Sequence, residues 1–196
     1  MRILWKLLTW PIWVWNYMRL RRHHVRVDMR AVTIAGLPIV TNKGQFIIHD
    51  GVRINSRYSA NPIGGQTFCS FFVGKNGQLE IGRGAGISNS TIVCFEKIVI
   101  GEHVMIGGDC RIYDTDFHSL NYEKRVSPQG DTDVKTRPVI IKNGAFIGAG
   151  SIILKGSTIG DRSIVGAGSV VSANVPDLEL WAGNPARFIR RIDSEA

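Results

Sequence analysis

Between residues 81 and 171 an aliphatic side chain returns every six positions, and few folds can use that period. The series runs Ile81, Ile87, Val93, then after one extra residue Ile100, Ile106, Ile112, and after a break Ile141, Ile147, Ile153, Ile159, Val165, Val171. An amphipathic helix repeats at about 3.6 residues and a half-buried strand at two, so neither explains it. Short strands separated by tight turns do, each aliphatic group entering one axial core shared by stacked rungs. Glycine follows six of these twelve positions, at residues 82, 101, 107, 148, 160 and 166, where turns need conformations that other residues resist. Glycine is also abundant overall, 22 of 196 residues, as a chain that turns this often requires. A weaker continuation at Ile34, Val40, Phe46 and Val52 places the first rungs near residue 34, with Asn61 to Val73 read as a loop.

Further motifs accompany the period: Ile112-Tyr113-Asp114-Thr115-Asp116-Phe117-His118, Arg137-Pro138-Val139, Phe146-Ile147-Gly148-Ala149-Gly150, Gly166-Ala167-Gly168-Ser169-Val170-Val171, and Trp181-Ala182-Gly183-Asn184-Pro185-Ala186-Arg187. With these motifs the chain resembles the hexapeptide-repeat family, and within it the sugar and polysaccharide O-acetyltransferases. The resemblance covers most of residues 80 to 192. It implies an all-β fold, a left-handed parallel β-helix with triangular coils, whose handedness comes from the family and not from the spacing. The expected organisation is a basic, Trp-rich segment over 1–33, a β-helix over 34–175 with an excursion at 119–138, and a C-terminal segment over 176–196.

Among five histidines, only His118 sits where the repeat breaks and a long loop departs, the usual place for function on a regular scaffold. Imidazole titrates near neutrality and can serve as a general base. Asp114 and Asp116 share parity with His118, so an extended segment would turn all three to one side. The nearer, Asp116, is then the carboxylate expected to orient the ring, the alternative being an Asp that caps a turn. Asn89 lies two positions out of register with an asparagine that galactoside-type relatives use at the acceptor site, and is a further candidate. The resemblance also implies acetyl-CoA as donor, with Ala149, Ala167 and Ser172 along the pantetheine arm and Arg187 and Arg190 near the nucleotide phosphates. Relatives often carry Lys after the position of Ser172; here it is Ala173, which predicts weaker phosphate binding or a substitute cation. A sugar or glycan acceptor and a homotrimer with sites between subunits follow from the same resemblance. Small drugs or amino sugars are the alternative acceptors, and the mixed polar excursion does not choose among them.

The formal charge is +8, but it is concentrated: the first 30 residues hold seven Lys or Arg against Asp28 alone. Since the positive charge is not spread through a folded face, no nucleic-acid partner is expected. Residues 3–18 contain four of the five Trp, with Lys6 and Pro11 interrupting a run shorter than a bilayer span. This composition predicts either peripheral contact with a membrane through residues 1–30, or a helix packed on its own domain or a neighbouring subunit. Three Cys without a C-x-x-C pair suit a reducing compartment, so the expected location is cytoplasmic, at the inner membrane face if the head binds lipid. No metal is expected. A carbonic-anhydrase-like zinc site would need three His, and only His103 and His118 fall in the relevant coils. A non-catalytic β-helix scaffold is the remaining alternative.

Overall fold

The structure, a computed structural model, describes residues 2–64 and 67–192, with side chains from Pro11 onward. It is a left-handed parallel β-helix of three sheets. The first sheet stacks residues 26–27, 45–48, 78–81, 97–100, 139–141 and 158–159. The second stacks 33–36, 53–56, 86–88, 105–106, 146–147 and 164–165, then 179–182 and 187–191; the third stacks 39–42, 70–73, 91–94, 111–113, 152–153 and 170–171. Every pairing is parallel except the last, where 187–191 folds back antiparallel on 179–182.

The six-residue period is the register of these coils. Ile81, Ile100, Ile141 and Ile159 pair in one column, and Ile87, Ile106, Ile147 and Val165 in the next, nearly all fully buried. Burying each such side chain contributes about 1.5–3 kcal/mol. The third column departs from expectation: Ile92, not Val93, is the buried partner of Ile112, because the corner between Ile87 and Ile92 holds one residue fewer than the corner between Ile106 and Ile112 stacked on it. A second six-residue series, Ser151, Ser157, Ser163 and Ser169, is buried at the coil turns and spends its hydroxyls on backbone carbonyls, for example Ser169 Oγ to Gly166 O at 2.6 Å. Glycine is obligatory where coils touch: a Cβ on Gly148 would lie 2.5 Å from Ala167 N.

The solenoid is longer than the repeat alone suggests. Residues 26–27 already pair with 47–48, so the first rung begins before residue 34, and 179–182 extends the second sheet beyond residue 175. The stretch read as a loop at 61–73 ends sooner, since Ser70–Val73 is a strand of the third sheet. Helix α1, Arg2–Arg22, docks on the first rungs: Leu20 is buried, Asn16 Nδ2 donates to Gly36 O at 3.0 Å, and Arg19 Nη1 donates to Pro38 O at 2.6 Å. Among the described residues no helix is long and apolar enough to cross a membrane.

Candidate active site

The excursion leaves the third sheet after Tyr113 and returns at Val139. Its base is closed by backbone bonds: Arg137 N donates to Asp114 O at 2.9 Å, and Asp116 N to Lys135 O at 3.0 Å. Asp114 is fully buried beneath it and accepts three amide protons, from Phe95, Glu96 and Lys97, at 2.7–2.8 Å. The loop thus leaves the coil from a fixed platform. Its interior is ordered by helix α2, Tyr122–Arg125, capped by the Asn121 side chain, and by Arg125 Nη1 donating to Ser119 O at 2.6 Å. Asp133 joins Lys124 to Lys135, and hydrogen bonds from both hold its carboxyl down at about 2.

His118 stands on this platform with its side chain 70% exposed, and its Nδ1 lies 2.8 Å from Asp131 Oδ2. Asp131 is only 19% exposed and is itself fixed, accepting the Ser119 amide at 3.1–3.2 Å. A carboxylate facing Nδ1 holds the proton there and leaves the lone pair on Nε2, the tautomer a general base needs. Next to it Phe117 adopts a left-handed backbone, φ 64°, secured by its amide bond to Thr115 Oγ1 and by an edge-on contact with Tyr113. A bulky residue with positive φ is strained, and such strain persists only where surrounding structure over-determines it.

That turn corrects the expected role of Asp116. The parity argument assumed an extended chain, but the left-handed residue between Asp116 and His118 reverses it, and Asp114 is drawn inward by three amides. Asp116 instead faces Lys155 Nζ at 3.3 Å, tying the loop base to the next coil. The carboxylate that faces the His118 ring is that of Asp131, thirteen residues away; in sequence it was one of several polar residues in an aperiodic loop, with no spacing signal to single it out. Asn89 is 1% exposed; its Nδ2 donates to Asn61 O at 3.1 Å, and its buried Oδ1 has no hydrogen-bond partner among the described residues.

The other candidates divide between two corners of the coil. Ala149 and Ala167 lie with Asn89 where the second sheet turns into the third; Ser172 lies with Asp116 and His118 where the third turns into the first. A whole side of the coil separates the two groups within one chain. Small residues stack along the alanine corner: Gly107 packs under Ala149, Gly148 under Ala167, and Gly166 under Ala182, with the Asp109–Arg111 pair one coil before. Arg187 pairs with Ala182 in the antiparallel strand, so this smooth column ends at an exposed guanidinium, with Arg190 further along. His103 and His118 occupy different corners, and among the described residues no three His, Cys, Asp or Glu side chains cluster to hold a metal. The cysteines are buried and free; desolvation pushes the Cys94 thiol up to about 12 and Cys69 to about 11.

These coils define a class. Residues 138–173 match the family described as bacterial transferase hexapeptide (six repeats), and the chain belongs to the hexapeptide-repeat acetyltransferases. It is 35% identical over 124 residues to galactoside O-acetyltransferase of Escherichia coli, covering 63% of this chain and 58% of that protein. A hexapeptide-repeat acetyltransferase of Vibrio cholerae, solved with acetyl coenzyme A, shares 34% identity with a TM-score of 0.56 over 63% of this chain and 66% of its own. A galactoside acetyltransferase solved with coenzyme A shares 32% identity with a TM-score of 0.54, over 64% of this chain and 67% of its own. The chain spans about half the length of the curated relatives it matches, 49% for a putative acetyltransferase of Schizosaccharomyces pombe.

Proposed function

We propose that this protein is an acetyl-CoA-dependent O-acetyltransferase that acylates a sugar hydroxyl in the assembly of a surface polysaccharide or related glycan. The observation that carries the proposal is the Nδ1 contact of His118 with Asp131 at 2.8 Å, on a loop fixed at its base and open to solvent. In this reading Nε2 of His118 removes the proton of the acceptor hydroxyl as its oxygen attacks the thioester carbonyl. An oxygen ester forms, the carbon–sulfur bond breaks, and the proton leaves on the CoA thiol; backbone N–H groups stabilise the transient oxyanion. No covalent intermediate on the enzyme is required.

The glycine and alanine corner suits the donor. A thin pantetheine arm can lie along Ala149, Ala167 and Ala182 because small residues stack there, and Arg187 and Arg190 offer fixed donors to phosphates at its end. Ser172, on the corner that carries His118, is the remaining donor contact. Since the alanine corner and His118 are a coil side apart, the reading includes a homotrimer in which one copy's corner meets another copy's His118. The relatives named for galactoside acetylation and those solved with CoA or acetyl-CoA support the donor and the sugar acceptor. The cytoplasm, where acetyl-CoA is made, is the corresponding location.

Isothermal titration of acetyl-CoA, followed by transfer of labelled acetyl to nucleotide-linked and lipid-linked sugars, tests this. Micromolar binding and label in an alkali-labile sugar ester are the expected results. A folded protein that binds no acetyl-CoA, or that acetylates only amines, overturns the reading.

A further inference from the structure

Helix α1 docks one face on the solenoid and leaves another uncovered, and the uncovered face is not polar. Asn16, Tyr17 and Leu20 turn inward. Trp15, Met18 and Arg22 follow at the spacing of one outer stripe, with Trp15 52% and Met18 50% exposed. Together with Arg19 and His23 they line an open concavity of about 440 Å³. A helix that packs one face on its own domain ordinarily shows charged and polar residues to water. Arg21, Arg26 and Arg30 are exposed as well, and among the described residues none of the guanidinium groups from Arg19 to Arg30 lies within ion-pair distance of a carboxylate.

We infer that this face is a docking surface for an anionic bilayer. The indole and thioether would enter the headgroup layer, where tryptophan is favoured, and the surrounding arginines would contact lipid phosphates. Charge complementarity selects this occupant. A second copy seated on the same face would bring one arginine cluster against another, whereas an anionic surface neutralises it. The helix lies on the membrane and does not cross it. The rung that bears His118 stands three rungs from the first, about 15 Å along the axis at the strand spacing of a sheet. An acceptor sugar held at the membrane by a lipid anchor would therefore be within reach of the excursion. This last point rests on the acetyltransferase reading; the lipid contact does not.

The test is co-sedimentation of the full chain with vesicles of neutral phosphatidylcholine and with vesicles containing about 30% phosphatidylglycerol, at low and high salt. Binding to the anionic vesicles at least about tenfold tighter than to neutral ones, and its loss in high salt, is expected. W15A/M18A should weaken it about fivefold or more and R21E/R22E/R26E should abolish it, with acetyl-CoA titration and circular dichroism reporting an intact solenoid in each. Equal pelleting with both vesicle types overturns the inference. So does sedimentation of the lipid-free protein as an assembly that W15A/M18A dissociates, which would give the face to a second copy. Failure of acetyl transfer with vesicle binding intact would instead fall on the function proposed above.

Discussion

Replacing Asp131 by Asn isolates what the carboxylate does for His118. The substitution keeps size and an oxygen for the Ser119 amide, so the loop retains its anchor. It also presents an NH2 group to Nδ1, which must then accept, and the proton moves to Nε2, where it blocks the base. The bond lost is a charge-assisted one at 2.8 Å, of the kind contributing about 1.5–3 kcal/mol; a histidine 70% exposed lets water recover part of it. A barrier raised by the remaining, about 1–2 kcal/mol, slows transfer roughly 5- to 30-fold, less than in a buried triad. The assay is release of CoA thiol, read with a disulfide reagent at saturating acetyl-CoA, a measurement the protein's three buried cysteines do not obscure. Asp116→Asn, whose carboxylate faces Lys155, should lose less than about threefold, within what a half-buried ion pair away from the His118 ring contributes. Asp131→Asn at wild-type rate, or Asp116→Asn as the more damaging change, would refute the assignment.

Ile147→Ala, in a fully buried column between Ile106 and Val165, should cost about 2–5 kcal/mol in urea unfolding, whereas a change at exposed Phe146 should cost far less. Gly148→Ala should destabilise by about 1–3 kcal/mol, because the new methyl meets the Ala167 backbone nitrogen and neither coil can retreat. Native protein at pH 8 should show no reactive thiol and three after denaturation, since desolvation holds Cys94 near 12 and Cys69 near 11 and thiolate forms only as pH rises towards those values. Asp133, bound by Lys124 and Lys135, has a lowered folded value. Its contribution to the excursion is present above the ordinary 3.8 and disappears as pH falls through about 2, and the NMR titration of the Asp133 carboxyl should show that lowered midpoint, with a midpoint at the ordinary value refuting the pairing.

The coils were readable in the residues because a solenoid repeats its burial in its sequence: a core aliphatic every six positions and glycine where chains touch. What the period could not show was where it slips, as at Ile92, where the corner is one residue shorter than the one stacked on it. The end of the repeat was equally blind to rungs closed by other means, such as Arg26–Val27 and Glu179–Ala182, which pair by backbone without a hexad to announce them. The position of His118 at the base of the excursion was legible because the pattern stops there. Its partner was not, because Asp131 reaches it through the fold of a loop with no period at all. The docking of α1 likewise depends on Asn16 and Leu20 meeting a particular end of the solenoid, while its outer stripe of Trp15 and Met18 keeps the composition that first suggested an interface.

The most direct test of the proposed chemistry compares the unaltered protein with His118→Ala in two readings taken together, acetyl-CoA affinity and single-turnover transfer to a sugar hydroxyl. The expected result is affinity within about twofold of wild type and transfer slowed by about 10²–10⁴, the range a positioned general base supplies. Transfer by the alanine variant at an undiminished rate would contradict the account.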